Sequence, residues 1–383
     1  MAAANPDNRL YVNQLLDVSD IDVVGFDLDH TLAVYDAPAV NALAFRETAR
    51  FLVDIKGYPG GLADLDYQDS AVTRGLVADP DRGYLVKLDL KDRVRRAGGP
   101  EGFMPAGLIS EIYGEEPLAV DGHYQIRCPF DLPAGVLFTA SLRLLPRSGG
   151  PAIEQTLKDV AEMLDRSHRF GNLKQTITAD AARYIARRPG LDRLIAGFRD
   201  RGKKTAVLTN SELEYAVHVL DHLFPCDGSF GGWKGLFDAV VVDASKPRFF
   251  DAAGTVPAKR VIETRPGSPG VWTGGNARDW ERFFDTPPDR ILYIGDNPVA
   301  DCIAARHRGW RTALVVPEIA SDPQPPHAPD PAQQVSFDSW GSLFWENGEP
   351  TRFSRVLREM PDLFAARLEH ILTPGPEARF IPA

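Results

Sequence analysis

Four short apolar runs along the chain share one habit: each finishes on polar or ionisable residues. They are DVVGFDLD (22–29), KTAVLTNS (204–211), FDAVVVDASK (237–246) and RILYIGDN (290–297), and a fifth run, RTALVVPE, follows at 311–318. Short Val/Ile/Leu/Ala stretches between polar punctuation predict strands buried on both faces of a parallel sheet. Amphipathic stretches lie between them: LDRLIAGFRDRG (191–202), SELEYAVHVLDHLF (211–224) and PVADCIAARHRG (298–309), the last with Pro298 in a helix's first turn. Alternating strand and helix predicts an α/β fold, a doubly wound parallel-sheet (Rossmann-like) core with helices on both faces. Ligands of such sheets sit outside the carboxyl ends of the strands, so the polar endings point to one crevice.

Residues 30–203 separate the first two runs, far more than one crossover needs. The expectation is an inserted α+β cap domain at 37–175, leaving 1–36 and 176–345 to the core. Within the insert, GYLVKLDLKDRV (83–94) reads as a hairpin strand, and Pro133 is placed to open a helix in PFDLPAGVLFTASLRLL (129–145). TLKDVAEMLDRSHRF (156–170) carries Leu157, Val160, Ala161 and Leu164 on one helical stripe. SDPQPPHAPDPAQQ (321–334) reads as an exposed linker. The segment 351–372 reads as one helix, bent at Met360-Pro361, in a C-terminal helical extension (346–383) against the core.

Composition narrows the partners. A net charge of −10 without a long basic run argues against a nucleic-acid polymer. The N-terminus lacks a basic-then-apolar signal pattern, and no apolar run approaches the roughly 20 residues that span a bilayer. Cys128, Cys226 and Cys302 lack CxxC spacing, which fits neither a disulfide framework nor a zinc site and suits a cytoplasmic protein.

The strand endings carry the chemistry. Asp27 and Asp29 close the first run, Thr209, Asn210 and Ser211 the second, Lys246 the third, and Asp296 with Asp301 the fourth. Two carboxylates so close repel, and taking either from water is costly without compensation. Together the endings hold the parts for moving a phosphoryl group through a carboxylate nucleophile. Mg2+ prefers oxygen ligands and offsets the repulsion between carboxylate and phosphate. Thr209 and Asn210 can hold phosphoryl oxygens, and Lys246 adds a positive charge to the same atoms. The second aspartate can protonate the departing alkoxide and later activate water.

In this arrangement DLDHTL, LTN, the lysine of DASKP and GDNPVAD resemble the four motifs of the haloacid dehalogenase-like phosphatases. The resemblance implies Asp27 as nucleophile, Asp29 as general acid/base, and Mg2+ held by Asp27, the Asp29 backbone carbonyl and Asp296, with Asp301 and Ser211 in support. FDLDHTLAVY, FDLP, VVDASKPRFF, TGGN, GWRTALVVPE and GSLFWENGEPTRF narrow it to the cytosolic purine 5′-nucleotidase family of the IMP/GMP-preferring type, over about residues 10 to 372. By that resemblance the base contacts fall on Phe130, Asp165, His168 and Lys174, with the base held between an aromatic ring and a histidine. The family's arginine one helical turn before the aspartate is Ala161 here, which puts the base preference in question. Val299 and Arg127 depart from the effector-site residues of vertebrate relatives. The expectation is a Mg2+-dependent 5′-nucleotidase acting on nucleoside 5′-monophosphates through an aspartyl-phosphate, with phosphotransfer to a nucleoside as a variant of the same chemistry. Its rivals are a phosphatase of a modified nucleotide or another metabolite, and a non-catalytic nucleotide-binding protein. Relatives often form homo-oligomers, and nothing in the sequence identifies an interface.

Overall fold

A computed structural model of the chain describes residues 10–145, 152–226, 230–251, 258–262, 270–327 and 339–382. Residues 1–9 of the expected core and 328–334 of the expected linker lie outside the described residues. The chain divides into two compact units, one of Met1–Tyr35, Asp180–Ser321 and Leu357–Ala383, the other of Asp36–Ala179 and Asp322–Val356.

The first unit is built on the predicted sheet. Its parallel strands lie in the order Leu363–Ala365, Arg311–Val315, Ile291–Gly295, Val23–Phe26, Lys204–Leu208, Ala239–Val242 and Gly270–Thr273. Leu10–Val12 and Lys259–Ile262 pair antiparallel at the two edges. All five predicted runs are strands, and every residue of Val23–Phe26 is buried, as strands covered on both faces must be. Val23–Phe26 lies between Lys204–Leu208, which leads outward on one side, and Ile291–Gly295, to which the chain returns on the other. That reversal opens the crevice at the carboxyl ends of these strands. Phe249, Phe250, Trp280, Tyr293 and Trp310 anchor the core beneath it. Phe250 meets Trp310 edge-on, with centroids 5.3 Å apart.

Several expectations are corrected. Pro298 stands in the first turn of a helix, as expected, but Pro298–Ile303 is widened, with the Ala304 N–H reaching the Val299 carbonyl, and an ordinary helix resumes at Ala304–His307. Such turns recur at functional sites, and this one carries Asp301. The segment 351–372 is not one bent helix: it holds helix Arg352–Glu359, strand Leu363–Ala365 and helix Leu368–Leu372. Pro361 ends the helical register, and Leu363–Ala365 finds sheet partners on both sides. The described part of the expected linker is not simply exposed, because Gln324 and Pro326 are buried. Asp322 accepts the Leu343 N–H at 2.6 Å, which ties this part to the chain beyond residue 339.

The second unit is α+β. Helix Ala37–Lys56 starts where Asp36 accepts the Ala39 N–H and stops at Gly57, whose φ of 75° suits a residue without Cβ. An antiparallel sheet of Val77–Asp79, Tyr84–Leu88, Val94–Gly99 and Gly102–Phe103 accompanies helices Leu132–Leu144 and Ile153–Phe170. Among the described residues, no helix is long and apolar enough to cross a membrane.

Candidate active site

Asp27 follows the buried strand Val23–Phe26, and its N–H donates to the Ile294 carbonyl at 2.8 Å, continuing the sheet for one more residue. Its Oδ1 accepts the Leu28 N–H at 2.7 Å and lies 2.9 Å from Lys246 Nζ. Lys246 Nζ also lies 2.7 Å from Asp301 Oδ1 and donates to the Tyr293 hydroxyl at 2.7 Å. Asp301 is fixed in turn by the Asn297 N–H, which donates to its Oδ2 at 2.9 Å. Thus the first, third and fourth strand endings meet at one buried ammonium.

The second ending supports them. Asn210 Nδ2 donates to the Lys246 carbonyl at 3.0 Å, and the Lys246 N–H donates to Asn210 Oδ1 at 2.6 Å. The Asn210 side chain therefore ties the second ending to the third. Thr209 is fully buried and its Oγ1 accepts the Ser211 N–H at 3.0 Å, so its own O–H stays available to donate. Ser211 Oγ donates to Asp29 Oδ2 at 2.7 Å. Asp243 and Ser245, just before Lys246, hold φ of 49° and 60°. Such left-handed backbone costs a non-glycine residue about 1–3 kcal/mol and clusters where geometry serves function.

Carboxylate oxygens of Asp27, Asp296 and Asp301 can all lie within 4.8 Å of one another. Burial pushes the Asp27 carboxyl up to about 8; Lys246 opposes that, while Asp301 and Asp29 add to it. Burial works against the Lys246 ammonium, but Asp27 and Asp301 outweigh it and hold its pKa above the usual lysine range. Three carboxylates against one ammonium leave an excess of negative charge, and an all-oxygen donor set of this kind suits a hard divalent cation.

A family model described as the 5′ nucleotidase family matches residues 10–334. The chain belongs to that family. Membership makes it a phosphoric monoester hydrolase. Among curated relatives of this 5′ nucleotidase family chain, 5′-nucleotidase domain-containing protein 2 of Rattus norvegicus is 27% identical, over 97% of this chain and 78% of its own length. The Homo sapiens protein of the same name is 29% identical, over 81% of this chain and 63% of its own. Solved structures with partial likeness include a predicted phosphoglycolate phosphatase from Haemophilus somnus 129PT, at 13% identity and a TM-score of 0.35, covering 78% of this chain and 86% of that one. A magnesium-bound hydrolase, YfnB, from Bacillus subtilis scores 0.28 at 16% identity, covering 78% and 90%.

The base-contact candidates lie in the second unit. Phe130 and His168 meet edge-on, with ring centroids 5.3 Å apart and planes 66° apart. A base sandwiched between them would set the rings about 7 Å apart, two van der Waals contacts, so no such slot is formed here. His168 Nδ1 lies 2.9 Å from the Leu164 carbonyl, and burial lowers the pKa of its ring. Asp165 is exposed and pairs with Arg169 at 2.9 Å one helical turn on. Lys174 is half-buried, and its charge adds to the lowering at His168.

Sequence reasoning missed three tyrosines. Tyr293 bonds Lys246, while Tyr35 donates to Asp29 Oδ1 at 2.5 Å and lies 2.8 Å from the Tyr215 hydroxyl. The available signal was a tyrosine inside the apolar runs that hold Tyr35 and Tyr293, because a buried hydroxyl needs a partner; Tyr215, in the amphipathic SELEYAVHVL, carried none.

Proposed function

We propose that this chain is a Mg2+-dependent 5′-nucleotidase that hydrolyses nucleoside 5′-monophosphates, with a 6-oxopurine base, through an aspartyl-phosphate on Asp27. The observation that carries this reading is Lys246 Nζ, 2.9 Å from Asp27 and 2.7 Å from Asp301 where three strand ends converge. Mg2+ fits the clustered carboxylates: Asp27, the Asp29 backbone carbonyl and Asp296 would hold it, with Asp301 beside them. When bound, the ion neutralises phosphate charge and favours the ionised form of Asp27.

In the first half-reaction an Asp27 carboxylate oxygen bonds to phosphorus while the bond from phosphorus to the nucleoside 5′-oxygen breaks. The leaving oxygen keeps the electron pair and takes a proton from the Asp29 carboxyl. In the second half, water bonds to phosphorus and gives a proton to Asp29. The bond between phosphorus and Asp27 then breaks, releasing inorganic phosphate. Lys246 and the Thr209 hydroxyl hold the transferring oxygens through both halves.

On this reading the Phe130 and His168 rings, which meet edge-on here, part to take the base, with Lys174 and Asp165 nearby on the same unit. The lowered pKa of His168 favours a neutral ring, which suits stacking. One observation favours a second reading: Ala161 offers only a methyl group, and Asp165 already pairs with Arg169, which points to a modified nucleotide or another phosphorylated metabolite. Phosphate release with Mg2+ should be measured across IMP, GMP, AMP, CMP, UMP, their deoxy forms and several sugar phosphates. A preference for IMP and GMP supports the purine reading. A flat profile, or activity confined to a pyrimidine or sugar phosphate, removes it and leaves the strand-end chemistry standing.

A further inference from the structure

Asp29 is held on both carboxylate oxygens, by Tyr35 on Oδ1 and by Ser211 on Oδ2. Tyr35 has a single hydroxyl proton, and it is committed to the carboxylate. In the tyrosine pair the donor is therefore Tyr215, and the protons point one way, from Tyr215 to Tyr35 to Asp29. Hydrogen bonds aligned in series polarise one another, and one ending on a carboxylate is stronger than a neutral pair.

Each member of this relay is anchored by its element. His30, with φ of 56°, shapes the loop behind Asp29, and Val34–Tyr35 then pairs antiparallel with Ile185–Ala186, setting Tyr35 opposite Ile185. The His30 ring lies against the Tyr35 ring, with centroids 5.0 Å apart. Tyr215 enters from helix Leu213–Leu223, just after the second strand ending. Both tyrosines are buried.

We propose that Tyr35, backed by Tyr215, is a positioning residue for Asp29: it fixes the carboxylate so that its remaining lone pairs face the oxygen that leaves or the water that attacks. This rests on the reading of Asp29 as general acid/base. Pinning both oxygens removes the carboxylate's rotational freedom, and misplacement of a reacting group by about 1 Å can cost on the order of 10²-fold in rate. The benefit falls where proton donation matters, on esters whose leaving oxygen is strongly basic. A nitrophenolate needs little help to depart.

The test is kcat/KM for a nucleoside 5′-monophosphate and for p-nitrophenyl phosphate, in the full chain with Mg2+, for wild type, Tyr35→Phe, Tyr215→Phe and Asp29→Asn. Phenylalanine keeps each ring, and Tyr215→Phe carries the test if Tyr35→Phe fails to fold. Expected is a loss of about 30-fold on the nucleotide for Tyr35→Phe, and about fivefold for Tyr215→Phe, with p-nitrophenyl phosphate held within about twofold. Selective loss in Asp29→Asn but equal loss, or none, in the tyrosine variants overturns this proposal alone. Equal loss on both esters in Asp29→Asn overturns the acid/base reading and this proposal with it.

Discussion

Lys246 is the residue on which the site's electrostatics turn. With less than a tenth of its surface exposed, it faces Asp27 and Asp301 at hydrogen-bond distance. Removing one partner of a buried ion pair typically costs about 3–5 kcal/mol, because the remaining charge stays buried without compensation. Lys246→Met should therefore lower the melting temperature and abolish phosphate release, and added Mg2+ should restore part of the melting temperature but not the activity. A calorimetric scan with and without Mg2+, beside a phosphate assay, checks both; activity near wild type would contradict the role. Removing Mg2+ from the wild type with a chelator should stop turnover and lower the melting temperature, since a ligand that binds only the folded state stabilises it. At this scale the sequence was informative about residue type. Asp27, Asp29, Lys246, Asp296 and Asp301 each stand at a strand ending, where polar groups after an apolar run are conspicuous. It was silent about Tyr35, Tyr215 and Tyr293, because their hydroxyls act through spatial neighbours up to 180 residues away in sequence.

Among the elements, the end of strand Ile291–Gly295 shows how tightly the backbone holds a functional group. A Cβ built on Gly295 would lie 2.4 Å from the carboxyl carbon of Asp301, well inside any real contact. Gly295→Ala should therefore displace Asp301 from Lys246 and lower kcat by about tenfold or more, the scale on which misplaced groups lose rate. Steady-state kinetics together with a Mg2+ titration followed by melting temperature would show it; unchanged values in both would mean the turn relaxes freely. The core strands were legible because a doubly covered strand must be apolar along its whole length, as in Ala239–Val242. Leu363–Ala365 was not. Its residues continue a helical spacing from Arg352–Glu359, and only the partners Arg311–Val315 and Leu10–Val12 make it a strand. The wide turn at Pro298–Ile303 was equally hidden, since Pro298 and the following apolar spacing fit an ordinary helix start as well.

On the scale of the whole molecule, the chain's division into units departs from a simple insertion. The segment Asp322–Val356, assigned from sequence to the core and the tail, clusters with Asp36–Ala179. One tie is Glu346, which is buried, lies 2.7 Å from Lys87 and accepts from Arg96 at 2.7 Å. Nothing local in GSLFWENG marks this, because the partners sit about 250 residues earlier. Glu346→Ala would strand two buried cations and should destabilise the second unit by about 3–5 kcal/mol. Chemical denaturation followed by tryptophan fluorescence would report it, and a shift under about 0.5 kcal/mol, typical of a surface change, would contradict it. The overall α/β architecture was readable from strand and helix order alone; the return of a late segment to an early domain depends on long-range ion pairs.

If the reaction runs as proposed, Asp27 carries the phosphoryl group between the two half-reactions. Acid-quenched protein, taken during turnover of a nucleoside 5′-monophosphate and digested, should be examined by mass spectrometry for a phosphoryl group on the peptide containing Asp27. That modification is expected in wild type and absent in Asp27→Asn, which should retain its fold but not its turnover. Near-normal phosphate release by Asp27→Asn, or a phosphoryl group found on another residue, would contradict it.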